Sequence, residues 1–225
     1  MSNYFDQPIF VTGCPRSGVS MTAGVLEACG AFTGGVEFLP QAKKPTYENM
    51  AIRDDILIPY LKPMGVDEQG QQGIWNFTRK PVEDLPALPF VREKIRVLLK
   101  EQGYREDRRW LLKDWRLLPM QHLFLEAFPN ATWVIARRTD FAIIRSCLMS
   151  GHMNAYSSTG AWKVWLGWYL SLIKKLESRT ETLPVWPAQY VHGRWGEIRS
   201  TIQQLGLTWN LEAIQGTIHP GEWRQ

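Results

Sequence analysis

The chain alternates between short apolar runs and longer stretches whose apolar residues have helical spacing. Residues 8–12 form an apolar run typical of a buried strand, and Met21, Val25 and Cys29 then recur at intervals of four. Glycines and a proline lie between the two patterns, in residues 13–18. The pattern therefore predicts a strand, a tight turn and an amphipathic helix at the start of the chain.

The same alternation continues to the end of the chain. Apolar runs predict further strands at 36–39, 109–114, 131–136 and 189–192. Periodic stretches predict helices at 47–61, 89–103, 119–128, 140–149, 162–176 and 195–205. Strands that alternate with helices favour right-handed βαβ crossovers and a parallel sheet covered on both faces. We therefore predict an α/β fold of the P-loop-like type, with three α/β/α layers and about four to five parallel strands.

One long segment, 64–89, is rich in Gly, Gln and Pro and breaks this alternation. Loops of this length are uncommon in compact domains unless they act as lids or are mobile. Residues 74–77, Ile-Trp-Asn-Phe, suit a lid over a pocket, and a disordered surface insertion is the alternative. Because the sequence shows no internal repeat and no low-complexity linker, we predict a single domain over residues 1–225.

Composition and charge exclude several classes of partner. The 225-residue chain has a formal charge of +4, but it contains no run of five Lys or Arg residues. We therefore expect no nucleic-acid partner and no basic membrane-binding surface. No apolar run approaches about 18 residues, so no membrane span is expected. The three cysteines are odd in number and lack metal spacing, which favours reduced thiols and a cytoplasmic location.

The turn after the first predicted strand has the features of an anion-binding loop. Residues 13–18 read Gly-Cys-Pro-Arg-Ser-Gly, with the Gly-x4-Gly spacing of a phosphate loop. Such a loop directs backbone N–H groups towards one point at the positive end of a helix dipole. Val19 occupies the position of the lysine in nucleotide triphosphatases, and Arg16 supplies a cation inside the loop instead.

Cationic residues also follow the next two predicted strands. Lys113 and Asp114 end the strand at 109–114, and Arg138 follows the strand at 131–136. Ser146 lies eight residues after Arg138, in the second turn of the following predicted helix. Because ligands of parallel sheets bind at the carboxyl ends of the strands, we expect these side chains to meet at one site.

Four segments in this order resemble the sulfotransferases that use 3′-phosphoadenosine 5′-phosphosulfate (PAPS). Residues 14–20 resemble the family's 5′-phosphosulfate loop in its Pro-Arg-Ser-Gly form, found in carbohydrate, tyrosylprotein and many bacterial members. Residues 128–146 resemble the 3′-phosphate motif, in which an Arg and a Ser stand eight residues apart. Residues 110–116 are similar to the central Lys-Asp-Pro-Arg strand, and residues 43–49 to a segment that often reads Gly-Tyr-Phe-Glu-Asn.

The resemblance implies a sulfuryl transfer from PAPS to a hydroxyl or amine of a small-molecule or carbohydrate acceptor, with adenosine 3′,5′-bisphosphate as the product. It implies no metal ion, because Arg16 and Lys113 would stabilise the leaving phosphate directly. The proton of the acceptor needs a base, for which Glu48 is the first candidate and Glu37 the second. The residues that the resemblance assigns to donor binding are Gly13, Pro15, Arg16, Ser17, Gly18, Val19, Ser20, Arg138 and Ser146.

Two departures from the family pattern keep other functions open. Val19 stands where the family has Thr, and Trp115 stands where it has Pro. A P-loop nucleotide kinase is the rival enzyme, against which the missing loop lysine counts. A non-catalytic nucleotide-binding protein is the rival from another class. The acceptor site has only weak candidates: His152, and the tryptophans Trp162, Trp165 and Trp168, whose helical spacing is more typical of packing.

Overall fold

The computed structural model describes residues 4–36, 45–218 and 223, and its central feature is a parallel β-sheet. The strands are β1 (Ile9–Thr12), β2 (Leu111–Lys113), β3 (Thr132–Ala136) and β4 (Thr182–Val185). The four strands lie in the order β2-β1-β3-β4, and every neighbouring pair is parallel. The predicted α/β fold class with a parallel sheet of four to five strands is therefore confirmed.

Helices cover the sheet on both faces. Alternate residues of β1 point to opposite sides: Phe10 packs into one apolar core, and Ile9 and Val11 pack into the other. None of the described helices has the length and apolar character needed to cross a bilayer. The α-helices are α1 (Val19–Ala28), α2 (Met50–Ile52), α3 (Ile58–Leu61), α4 (Trp75–Arg79), α5 (Val91–Glu101), α6 (Gln121–Ala127), α7 (Asp140–Leu148), α8 (Thr159–Glu177), α9 (Pro187–Val191), α10 (Gly196–Gln204) and α11 (Leu211–Thr217).

The predicted strand at 189–192 is wrong, because helix α9 occupies that place. The last strand of the sheet is β4, which lies several residues earlier and pairs with β3 alone. Pro184 lies inside β4, and a proline within an apolar run argues against a central strand. An edge strand tolerates it, because one side of its backbone needs no ladder partner. Pro187 then begins α9, where its missing N–H costs nothing.

The long segment 64–89 is anchored to the core at its centre. Helix α4 lies within it, and Ile74 and Phe77 are completely or almost completely buried. Whether the segment moves as a lid stays a prediction, as does the single domain over residues 1–225. The strand predicted at 36–39 lies outside the described residues except for Val36, which forms an isolated bridge with Asn49.

The predicted helix at 47–61 contains a π-helical turn. Helix α2 and helix α3 are joined by a π-helical segment, Arg53–Leu57, so the chain is helical from Met50 to Leu61. Asn49 caps it by accepting a hydrogen bond from the N–H of Ile52 at 3.2 Å. π-turns often occur at functional sites, and this one begins five residues after Glu48.

The register of the sheet places the carboxyl ends of three strands at one edge. Val11 of β1 pairs with Lys113 of β2, and Thr12 pairs with Ile135 of β3. The residues that follow these strands therefore meet where the order of the strands reverses, with β1 between β2 and β3. This edge is where the candidate site lies.

Candidate active site

The loop between β1 and α1 has a backbone that only glycine suits at two positions. Gly13 and Gly18 have φ angles of +155° and +100°. A β-carbon on Gly13 would lie 2.7 Å from the carbonyl oxygen of Ala136, and one on Gly18 would lie 2.8 Å from Pro187. The glycines thus let the loop lie directly against its neighbours. Helix α1 begins at Val19, so its first free N–H groups face the end of the sheet.

Arg16 links this loop to the 3′-phosphate motif predicted from the sequence. Its Nε donates a hydrogen bond to Ser146 Oγ at 3.0 Å, and its carbonyl oxygen accepts one from Arg138 Nη1 at 2.8 Å. Arg16 also has a φ of +74°, in the left-handed region that is uncommon for residues other than glycine. Residues held in that region cluster at functional sites, where the surrounding structure compensates the strain.

Several buried polar groups near the loop lack a hydrogen-bond partner. They are Arg138 Nη2, Ser17 Oγ and Thr12 Oγ1. Burial, and after it the nearby charge of Arg16, lowers the pKa of the Arg138 guanidinium. Two neighbouring cations and an unpaired buried donor are both unfavourable without a counter-charge. An anion bound at this place would relieve both.

Glu48 is held by cations on the other side of the site. Its Oε1 accepts a hydrogen bond from Lys113 Nζ at 2.9 Å, and its Oε2 lies 3.4 Å from Arg116 Nη1 and 3.8 Å from Arg53 Nη1. Burial alone would raise the pKa of the Glu48 carboxyl. The charges of Lys113 and Arg116 outweigh that effect, so the pKa is lowered overall. Glu48 is therefore ionised at neutral pH and positions the ammonium group of Lys113.

Arg116 is fixed by a second carboxylate behind this pair. Its Nη1 donates to both carboxylate oxygens of Asp114 at 3.0 Å, and its backbone N–H donates to Asp114 Oδ1 at 2.8 Å. Asp114 is almost fully buried, at 1% exposure. These three hydrogen bonds to a buried carboxylate hold Arg116, and through it Glu48, in a fixed position.

Arg16, Arg138, Glu48 and Lys113 line one cavity with a volume of about 330 Å³. Gly13 and Ser17 belong to the loop but do not line the cavity. Glu37, the second candidate base, lies outside the described residues. The predicted site residues that line the cavity are Pro15, Arg16, Gly18, Val19, Ser20, Glu48, Lys113, Arg138 and Ser146.

The architecture is similar to that of a solved structure. The crystal structure of sulfotransferase STF1 from Mycobacterium tuberculosis H37Rv superposes with a TM-score of 0.51 at 18% sequence identity. The match covers 94% of this chain and 70% of that one. This chain has a sulfotransferase fold. No protein-family model and no curated protein sequence matches the chain.

The sulfotransferase fold confirms the coarse part of the resemblance found in the sequence. The assignment to the Pro-Arg-Ser-Gly branch stays a prediction, because a likeness at this identity shows the fold alone. Trp162 and Trp165 are fully buried in the core and do not line the cavity, in line with the packing interpretation. His152 is exposed, and its neighbour Met153 lines the cavity instead.

Sequence reasoning missed four residues that line the cavity in this sulfotransferase fold. They are Met21, Trp115, Met153 and Trp223. Trp115 stands two residues after Lys113. Its position just after a strand end was the one feature of the sequence that could have indicated a cavity residue. Trp223 lies far from the other motifs in sequence, and its ring centroid is 4.3 Å from Arg138 Cζ. A contact of this kind depends on the tertiary fold and leaves no local pattern in the sequence.

Proposed function

We propose that the protein is a PAPS-dependent sulfotransferase that acts on a hydroxyl or amine of a small-molecule or carbohydrate acceptor. The observation that carries the proposal is the convergence of Arg16, Lys113 and Arg138, from three strand ends, on one cavity with an unpaired buried guanidinium N–H. A donor with a charged group at each end suits this arrangement. A single phosphate would leave the cations at one end of the cavity without a counter-charge.

The residues present fit such a donor. The N–H groups of the glycine loop and of the first turn of α1 would hold the 5′-phosphosulfate. The Arg138 guanidinium offers a planar pair of donors for the 3′-phosphate, and Ser146 Oγ adds a hydroxyl. When bound, PAPS supplies a sulfuryl group whose S–O bond to phosphate breaks as the bond to the acceptor forms.

Lys113 and Arg16 would stabilise the charge that develops on the leaving phosphate. Both are cations that line the cavity, and Lys113 is nearly buried, at 6% exposure. A fixed cation in a poorly solvated site stabilises such a charge more than the same group in water does. If Lys113 Nζ bound the leaving oxygen, its ion pair with Glu48 would weaken. The Glu48 carboxylate would then be a better acceptor for the proton of the attacking group.

The cysteines support a cytoplasmic location as part of the same proposal. Cys14, Cys29 and Cys147 are all free and buried in the described structure. Free thiols of this kind are typical of reducing compartments. The cytoplasmic location rests on this feature alone.

Thermal unfolding with different nucleotides tests the proposed donor. Adenosine 3′,5′-bisphosphate at about 100 times its Kd should stabilise the protein by about 2.7 kcal/mol, or roughly 5 to 10 °C in Tm. Adenosine 5′-monophosphate should give a smaller shift because it offers nothing to Arg138. Stabilisation by ATP with Mg²⁺, but not by the bisphosphate, would instead point to a kinase and contradict the proposal.

Replacing Glu48 by glutamine tests the proposed base. We expect turnover to fall about 100-fold, because general-base catalysis contributes at least that much. In the wild type the lowered pKa of Glu48 keeps the carboxylate ionised at pH values below the usual pKa range of a glutamate. The acid limb of the kcat/KM profile should therefore lie below the usual titration range of a glutamate, and the variant should lose that limb.

The same lowered pKa makes a stability prediction that separates the two roles of Glu48. The ion pairs of its carboxylate stabilise the fold above the unfolded pKa of about 4.3, and this contribution is lost as pH falls through the lower folded pKa. Urea unfolding of Glu48→Gln should show a loss of stability at pH 7 that shrinks towards pH 3. Turnover equal to that of the wild type at pH 7 would remove Glu48 from the role of base.

A further inference from the structure

The lining of the cavity includes apolar side chains as well as the cations. We define the acceptor wall as Trp115 and Met153, which line the cavity and are only 7% and 8% exposed. Met21 of α1 adds a third apolar side chain to the same lining. The cations Arg16, Lys113 and Arg138 are accounted for by the proposed donor, and these apolar side chains are not.

The ring of Trp115 is held in place from several directions. The Arg116 guanidinium carbon lies 4.6 Å from the ring centroid, and Tyr169 packs edge-on at a centroid distance of 6.2 Å. A β-carbon on Gly70 would lie 2.8 Å from the Trp115 ring and 2.4 Å from the Tyr169 hydroxyl. Gly70, at a φ of +68°, is thus the residue type that leaves room for this ring.

The turn at Gly70 and Gln71 also holds Met153 in place. Gln71 is 1% exposed, and its side chain binds the backbone on both sides of Met153. Its Nε2 donates to the carbonyl oxygen of His152 at 2.7 Å, and its Oε1 accepts from the N–H groups of Asn154 and Ala155 at 3.0 and 2.8 Å. Burying an amide costs free energy unless its hydrogen bonds are satisfied, and these bonds fix the loop that carries Met153.

The turn is itself anchored to the helix behind it. The carbonyl oxygen of Gly70 accepts hydrogen bonds from Trp165 Nε1 at 2.9 Å and from the Tyr169 hydroxyl at 2.8 Å. The backbone around Gly70 and Gln71 therefore connects α8, Trp115 and Met153 in one rigid unit. A preorganised apolar wall of this kind is typical of a binding surface for an apolar ligand group.

We propose that the acceptor is an uncharged phenol whose ring packs against the acceptor wall, an inference that rests on the proposed sulfotransferase function. Aromatic rings pack favourably edge-on or offset against a tryptophan, and the sulfur of methionine makes favourable contacts with them. A neutral sugar offers Trp115 and Met153 less apolar surface than a phenol ring does, and it would have to bury some of its hydroxyl groups against them.

Charge argues for a neutral acceptor. PAPS carries a phosphosulfate and a 3′-phosphate, more negative charge than the three cations of the lining can neutralise while Lys113 also pairs with Glu48. A carboxylate or sulfate on the acceptor would add a further anion beside Glu48. Like charges brought together in a poorly solvated site repel strongly, so acidic acceptors are disfavoured.

A matched set of acceptors tests the inference with PAPS as the donor. Methyl 4-hydroxybenzoate, 4-hydroxybenzoate and methyl glucoside offer a neutral phenol, an anionic phenol and a neutral sugar. We expect kcat/KM, measured by bisphosphate release and by mass spectrometry of the sulfated product, to be highest for the methyl ester. The difference from each of the other two acceptors should be about tenfold or more.

Two variants connect that preference to the acceptor wall. Met153→Ala and Trp115→Leu should raise the KM for the methyl ester by about tenfold. The Kd for the bisphosphate, measured by calorimetry, should stay unchanged and also show that the variants fold. Trp209→Phe is the control, because Trp209 packs against Trp195 and does not line the cavity.

The outcomes separate this inference from the proposed function. A preference for methyl glucoside or for 4-hydroxybenzoate would contradict the proposal of a neutral phenol as acceptor. The same holds if a protein that binds the bisphosphate does not turn over the methyl ester. Either result would leave the proposed donor site unaffected. Variants that leave the KM unchanged would overturn the acceptor wall. Failure of the wild type to bind the bisphosphate would overturn both proposals.

Discussion

Replacing Lys113 by methionine should lower the turnover of PAPS about 100-fold. The variant keeps the length and apolar stem of the side chain but removes the ammonium group that faces the cavity. Removing one preorganised charge from the site of a developing anion costs about 3 kcal/mol of transition-state stabilisation. Steady-state kinetics with saturating acceptor would measure the effect as a fall in kcat.

The Kd for the bisphosphate separates catalysis from binding in this variant. Lys113→Met should change it much less than it changes kcat, because the loop, Arg138 and Ser146 hold the product. Lys100→Met is the control, since Lys100 is an exposed residue of α5 that pairs with Glu106 at 3.6 Å, away from the cavity. A kcat within a few-fold of the wild type would remove Lys113 from its proposed role.

Replacing Arg138 by alanine should abolish the preference for a 3′-phosphate. The wild type should bind adenosine 3′,5′-bisphosphate roughly 100-fold more tightly than adenosine 5′-monophosphate. Charge-assisted hydrogen bonds to a phosphate contribute about 1.5 to 3 kcal/mol each. In Arg138→Ala the two affinities should come within a few-fold of each other, because the monophosphate never contacted this side chain.

The neighbouring arginine provides the matched control. Arg137 follows the same strand, but its guanidinium pairs with Glu177 of α8 and does not line the cavity. Arg137→Ala should therefore leave both affinities unchanged. Calorimetric titration of both ligands into both variants measures the ratio. Equal weakening of the two ligands by Arg138→Ala would show that this residue does not read the 3′-phosphate.

The sequence predicted those parts of the fold and site that are encoded locally. The apolar run before Gly13 and the helical spacing after Gly18 are enough to define β1, the loop and α1. Lys113 and Arg138 could be placed together because the carboxyl ends of parallel strands share one edge. Strand β4 was missed because Pro184 weakens its strand pattern, a cost that an edge strand tolerates.

The features missed at the site depend on contacts between distant segments. The ion pairs of Glu48 join residues that are 65 and 68 positions apart, to Lys113 and Arg116. The hydrogen bonds of Gln71 reach the backbone more than 80 positions away. A buried glutamine has no distinctive pattern in a single sequence, and its role becomes visible only when the two loops lie side by side.

The most direct test of the central claim is transfer from PAPS itself. The protein is incubated with PAPS carrying radiolabelled sulfate and with methyl 4-hydroxybenzoate. The labelled product is counted, and the released bisphosphate is measured by chromatography. We predict equal amounts of the two, formed only when protein and acceptor are present, and a loss of about 100-fold in Arg16→Ala. If the protein binds the bisphosphate but forms no sulfated product with any of a wide panel of acceptors, the result would contradict the claim that it transfers a sulfuryl group from PAPS.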